Sequence, residues 1–118
     1  MPVTPELSFV IPCHNEQDNL RPLVQAICRA TEPLNRTFEI VITDDRSTDG
    51  SWGVLQEMAA ADPRVRALRF AQNRGQSAAM WAGMQAARGR YIVTLDADLQ
   101  NDPKDLPKLL EGLQQFDC

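Results

Sequence analysis

Apolar positions along the chain fall into two alternating rhythms. Four runs, "LSFVIPC" (Leu7–Cys13), "FEIVIT" (Phe38–Thr43), "RVRALRF" (Arg64–Phe70) and "YIVTL" (Tyr91–Leu95), are short and mostly apolar. They are too short for helices. Near-continuous apolarity predicts strands covered on both faces, although the third run alternates less regularly. Between the runs the apolar residues recur at helical spacing. Leu20, Leu23, Val24, Ile27 and Cys28 keep the i, i+3, i+4, i+7, i+8 rhythm of an amphipathic helix. Pro22 is tolerated in a first turn, which places that helix start near Asp18 or Asn19. "WGVLQEMAAA" predicts a second helix, capped by Asp49 or Ser51 and ended by Asp62 and Pro63. An alanine-rich third helix is expected from about Gln76 to Arg88, with Gly89 as a left-handed cap. A last helix is expected to begin near Pro103, burying Leu106, Leu109, Leu110 and Leu113. Trp52, Met58, Met80, Trp81 and Met84 sit at helical spacings and are expected in the core.

Strands alternating with helices of this length predict βαβ units, hence an α/β fold with a Rossmann-like parallel sheet. Right-handed crossovers restrict the topology, and the strand order 3-2-1-4 is expected. Ligands of such sheets bind outside the carboxyl ends of the strands, where the winding reverses. Here that crevice falls between the first and fourth strands. No linker or repeat interrupts the series, so residues 1–118 form one domain.

Composition narrows the partners. The chain has 118 residues, 43% hydrophobic and 24% charged, with a net charge of −4. That balance excludes a nucleic-acid backbone as partner, which demands a basic surface. Ten arginines stand against Lys104 and Lys108 alone, a bias of the kind genome composition produces. Cys13, Cys28 and Cys118 form no CxxC pair and no metal-like spacing, which fits a reduced, cytoplasmic compartment. No apolar stretch approaches the roughly 20 residues of a membrane span, and "MPVTPELS" is no signal peptide.

The polar residues then cluster on one edge. His14, Asn15 and Glu16 follow the first strand, and Asp44, Asp45, Arg46, Ser47 and Asp49 follow the second. Asn73, Arg74 and Gly75 follow the third, and Asp96, Asp98 and Gln100 the fourth. Hard cations such as Mg²⁺ or Mn²⁺ take oxygen ligands, one or two carboxylates with substrate phosphates completing the shell. Asp98 and the amide oxygen of Gln100, two residues apart, reach one ion from an extended segment. The residues alone equally allow a solvated turn, with Asp102 capping the last helix.

Four motifs in order, "FVIPCHNE", "EIVITDDRSTDGS", "NRGQSAAMWAGMQAARGRYIV" and "LDADLQNDP", resemble the nucleotide-sugar-binding half of family 2 glycosyltransferases, the GT-A fold. The likeness is to the branch of dolichyl- and polyprenyl-phosphate mannosyl- and glucosyltransferases, and it covers Leu7 to about Phe116. It implies that Pro12, His14 and Glu16 wall and hydrogen-bond the nucleoside, while Thr43 and Asp45 meet the base. It further implies Asp96 near nucleotide and sugar, as a catalytic residue with Asp98. Asp98 and Gln100 would hold Mg²⁺ or Mn²⁺ against the diphosphate. His14 stands where the family usually has tyrosine, Arg46 replaces the common glycine of "DDGS", and Arg74 replaces a frequent aromatic residue.

Sugar transfer from a nucleoside diphosphate leaves two extra negative charges on the departing group, which a carboxylate-held cation stabilises. A hydroxyl acceptor would need a general base, and no unassigned carboxylate or histidine offers one; an anionic lipid phosphate needs none. The expected reaction is transfer of a hexose, with inversion, from a GDP-mannose or UDP-glucose type donor to a polyprenyl phosphate. The chain reads as the donor-binding part of a longer protein whose acceptor half follows Cys118. The full protein would sit at the cytoplasmic face of a membrane, and open sheet edges invite a homodimer. Two alternatives stand beside this: a non-catalytic α/β interaction module, and a phosphoaspartyl phosphatase. The second would place its D-x-D after the first strand rather than the fourth.

Overall fold

The computed structural model describes residues 4–95. Strands β1 (Leu7–Cys13), β2 (Phe38–Asp44), β3 (Val65–Arg69) and β4 (Tyr91–Thr94) alternate with helices α1 (Gln17–Thr31), α2 (Ser51–Ala61) and α3 (Gln76–Ala86). A short 3₁₀ turn, Glu32–Leu34, follows α1 and ends on Asn35 in the left-handed conformation. The strands form one parallel sheet in the expected order β3-β2-β1-β4. Leu7 pairs with Phe38 on one side and with Tyr91 on the other, so β1 is central.

Both faces of β1 and β2 are buried, as their mostly apolar runs lead one to expect. On one face Phe9, Ile11, Ile40 and Ile42 pack with Leu20, Leu23, Ile27 and Leu55 of α1 and α2. Phe9 meets Phe38 edge-on, ring centroids 6.1 Å apart. The other face lies under α3, which buries Ala79 and Gly83 rather than a large side chain. Small residues are demanded there, since a Cβ on Gly83 would lie 2.6 Å from Val10 Cγ1.

Three sequence expectations are corrected by this packing. Trp81 and Met84 are 62% and 38% exposed, because the small residues one turn apart take the sheet-facing positions of α3. Met58 is buried as expected, and Trp52 packs partly against the core. Gly89 is not a left-handed cap: α3 ends at Ala86, and the glycine with positive φ is Gly75, among the described residues. Gly89 is needed for close approach instead. A Cβ there would lie 2.4 Å from Ser8 Oγ and 2.8 Å from the Leu7 carbonyl carbon. Helix α1 starts at Gln17, so Pro22 falls in its second turn. The start is set by tertiary bonds: Glu16 N donates to Ser51 Oγ (2.9 Å) and Gln17 N to Asp49 Oδ2 (3.5 Å). Pro22 has no N–H to give the Asp18 carbonyl, and Asp18 lies exposed.

At the amino edge of the sheet, a buried carboxylate ties α3 down. Glu39, 3% exposed, accepts hydrogen bonds from Ser8 Oγ (2.6 Å), Arg66 Nη1 (2.9 Å) and Arg88 N (2.6 Å). Arg66 also donates to the Ala86 carbonyl (2.8 Å), and Gly89 N to Ser8 Oγ (2.7 Å). Burial alone would raise the Glu39 carboxyl, but the bonds from Arg88, Ser8 and Arg66 with the Arg66 charge leave it below its ordinary value.

Candidate functional site

The carboxyl ends of β1, β2 and β3 deliver three loops to one edge, and each loop contains a residue with positive φ. These are Asn15 (55°), Arg46 (56°) and Gly75 (99°). Each lets the chain leave its strand sharply, so neighbouring loops meet. Asn15 tolerates that region well, whereas an arginine there carries strain.

Asp45 is the hub. It is 4% exposed, its N–H donates to the Cys13 carbonyl (2.8 Å), and its carboxylate accepts from Arg74 N (2.6 Å) and Gly75 N (2.9 Å). Its carbonyl accepts from His14 Nδ1 (3.0 Å) and Asn73 Nδ2 (3.1 Å). One residue therefore holds the β1 and β3 loops against β2. Asp44, fully buried, accepts from the backbone N–H and hydroxyl of Ser47 and is 3.4 Å from Arg69 Nε. The Arg69 guanidinium also lies over the Trp52 ring at 5.3 Å.

Asn15 laces the first loop to the second. Its N–H donates to Ser47 Oγ (2.8 Å), and its Oδ1 accepts from Thr48 N (2.8 Å) and Asp49 N (3.2 Å). Asp49 in turn accepts from Ser51 N (2.9 Å), giving α2 the expected acidic cap from the residue before Gly50. Burial pushes the Asp49 carboxyl up, but the bonds from Ser51 and Gln17 hold it below the usual range. The Cys13 thiol behind this lacing is pushed up to about 11 by burial and then by the Asp44 charge, an inert filler as expected.

The residues expected around a nucleoside divide by reach. His14 is exposed and Glu16 half-buried, its Oε2 accepting from Asn19 Nδ2 (2.7 Å). His14 and Asp45 are brought into contact; Pro12 lies buried within β1, opposite Thr43. Thr43 is 0% exposed, its hydroxyl unpartnered beneath Gly83, so a base reaching β2 would meet backbone there rather than the side chain. Asp96, Asp98 and Gln100 lie outside the described residues, as does the helix expected near Pro103. Among the described residues no three His, Cys, Asp or Glu side chains converge as metal ligands. Asp44, Asp45 and Asp49 are committed to N–H and O–H donors. The sequence reading missed Asn15, Ser47 and Asn73 as structural ties. An Asn two residues past the first strand was the available signal for Asn15, because Asn is the non-glycine residue that most readily turns left-handed.

The family described as Glycosyl transferase family 2 matches residues 8–118. An undecaprenyl-phosphate 4-deoxy-4-formamido-L-arabinose transferase of Pseudomonas paraeruginosa is 44% identical over 110 residues, 92% of this chain and 32% of its own length. A dodecaprenyl-phosphate galacturonate synthase of Rhizobium johnstonii is 39% identical over 111 residues, 93% of this chain and 33% of its own. The chain thus spans about a third of the length of the curated relatives it matches. Among solved structures, a mannosyltransferase of Pyrobaculum calidifontis in complex with GDP-Man and Mn²⁺ superposes with TM-score 0.77 at 24% identity, over 94% of this chain and 33% of its own. TarS of S. aureus in complex with UDP-GlcNAc superposes with TM-score 0.69 at 18% identity, over 93% of this chain and 31% of its own. At these identities the structures report the fold, a GT-A glycosyltransferase sheet.

Proposed function

The chain belongs to glycosyl transferase family 2, and on that premise we propose that it forms the donor-binding part of an inverting transferase. The donor is a nucleoside-diphosphate hexose of the GDP-mannose or UDP-glucose type, and the acceptor a polyprenyl phosphate. The observation that carries this reading is the Asp45 hub, which ties three loops into one rim at the carboxyl edge through the protein's own hydrogen bonds. A preorganised rim binds without the cost of ordering its loops. Support for the donor class comes from the GDP-Man and UDP-GlcNAc complexes of the fold neighbours; support for the acceptor comes from the polyprenyl-phosphate names of the relatives.

In this reading His14, Glu16 and the backbone at Pro12, Thr43 and Asp45 take the nucleoside, and Asp96 lies by the diphosphate and sugar. Asp98 and Gln100 hold Mg²⁺ or Mn²⁺, a donor set of carboxylate and amide oxygen suited to a hard cation. When bound, that ion stabilises the charge growing on the departing nucleoside diphosphate. An anionic acceptor needs no base, and Asp44, Asp45 and Asp49 at this edge are already committed to N–H and O–H donors. The work takes place at the cytoplasmic face of a membrane, where a lipid phosphate is presented. No helix among the described residues is long and apolar enough to cross that membrane. The phosphatase alternative loses ground, since β1 ends in Cys13 and is followed by His14 rather than an aspartate nucleophile.

Calorimetric titration with GDP-mannose and UDP-glucose, with and without Mn²⁺, tests the assignment. Metal-dependent heat is expected from one of them, and Asp98→Ala is expected to abolish that metal dependence. A folded chain giving no heat with either donor, or an Asp98→Ala chain that keeps the metal dependence, refutes it. The second outcome is the one a non-catalytic interaction module predicts.

A further inference from the structure

His14 is the only histidine of the chain, and both of its ring nitrogens lie near polar groups at the rim. Nδ1 is 3.0 Å from the Asp45 carbonyl, an acceptor with no proton to give, and 3.5 Å from Asn73 Nδ2, whose amide already donates to that same carbonyl at 3.1 Å; the shorter contact assigns the hydrogen to Nδ1. Nε2 is 3.4 Å from Asn15 Nδ2. The amide orientation of Asn15 follows from its other end, where Oδ1 receives the N–H groups of Thr48 and Asp49. With Oδ1 turned to those donors, Nδ2 presents N–H to the ring, and Nε2 is left as the acceptor.

The same residue sets the backbone. Its φ of 55° reverses the chain between His14 and Glu16, and its N–H is anchored on Ser47 Oγ (2.8 Å). We propose that Asn15 is a positioning residue that holds His14 as the Nδ1–H tautomer, so that the ring offers a nucleoside its face and carbon edge rather than a nitrogen. A ring engaged at both nitrogens cannot turn about its Cβ–Cγ bond without losing a contact. It therefore reads a base by stacking, a sequence-tolerant contact worth one aromatic platform. An aromatic residue at this position is what the family resemblance leads one to expect, and the histidine keeps the ring while its polar atoms serve the loops. What the ring is for rests on the donor-binding reading above; its tautomer and the role of Asn15 do not.

The test uses the full chain in solution at alkaline pH, where a two-bond nitrogen–proton correlation spectrum of the single histidine reports its tautomer. The expected wild-type form is Nδ1–H, which free histidine does not favour. Asn15→Asp keeps an oxygen for Thr48 and Asp49 and tolerates the left-handed backbone, but places its second oxygen beside Nε2. It is expected to draw a proton to Nε2. Asn15→Gly keeps the backbone freedom and removes the amide, and its affinity for UDP or GDP with Mn²⁺ is expected to weaken about fivefold, the equivalent of one hydrogen bond.

A wild-type ring protonated at Nε2 alone, an unchanged spectrum in Asn15→Asp, or undiminished nucleotide affinity in folded Asn15→Gly would each overturn the proposal. A wild-type chain that binds neither nucleotide overturns the donor-binding reading instead. The spectrum would still decide the role of Asn15.

Discussion

Arg46 occupies the left-handed region with φ of 56°, a conformation that costs a residue with a Cβ about 1–2 kcal/mol. Family resemblance led one to expect glycine there, and the loop keeps the backbone that glycine favours despite the substitution. No ion pair of Arg46 is found among the described residues, although Asp44, Asp45 and Asp49 are close in sequence. Those acids are already taken by amides, hydroxyls and Arg69. Arg46→Gly is therefore expected to stabilise the fold by about 0.5 kcal/mol, the relief of strain less the greater chain entropy glycine loses. A urea midpoint measures this; a clear loss of stability would mean the guanidinium holds something in place. Asn15 has the same backbone with a side chain suited to it, which is why it can serve as a tie.

At the level of the elements, the glycines separate two kinds of constraint. Gly89 is pressed against backbone: an added Cβ would lie 2.8 Å from the Leu7 carbonyl carbon, which cannot swing aside as a flexible side chain could. Gly89→Ala is expected to lower stability by about 2–3 kcal/mol through overpacking. Gly53, exposed on α2 with nothing within 4 Å, is expected to behave oppositely. Gly53→Ala should gain about 0.5–1 kcal/mol of helix propensity. Equilibrium denaturation of the two variants reads both signs, and equal effects would contradict the close approach of Gly89 to β1. The strands were legible because a parallel sheet buried on both faces writes a mostly apolar run, as in the Ile40–Ile42 centre of Phe38–Asp44. The inward face of α3 was not legible. Its large apolar residues point outward, and the helix closes on the sheet through Ala79 and Gly83, where small size matters more than hydrophobicity. The start of α1 was also misplaced, because bonds to Ser51 and Asp49 from another loop decide it.

The whole molecule is organised by two edges of one sheet. The carboxyl edge gathers loops for binding; the amino edge carries the Glu39 cluster, which secures α3 and the approach to β4. Because the folded Glu39 carboxyl titrates below its ordinary value, its contribution to stability is present above the ordinary carboxylate range. That contribution is lost as the pH falls through the lowered value. Thermal midpoints measured from neutral pH down to about pH 3 should fall further for the wild type than for Glu39→Gln. At neutral pH the variant should be less stable by about 3 kcal/mol, because it leaves Arg66 half-buried without its partner. A variant with the parent's acid sensitivity would remove Glu39 from that role.

The fold class and the edge that carries the polar loops were determined by the sequence alone, while the expected strand order 3-2-1-4 is what the pairing of the strands shows. Period, burial and crossover handedness are local or nearly local properties, and each writes itself into the order of residues. Tertiary structure decided which polar side chains of that edge face a ligand and which hold the loops together. Asp45 and Thr43 look alike in sequence as polar residues at a strand end. One becomes a hub for two neighbouring loops and the other is sealed under α3. That distinction depends on residues some 30 to 40 positions away, Arg74, Gly75 and Gly83, which meet β2 only once the sheet has brought the loops and α3 together.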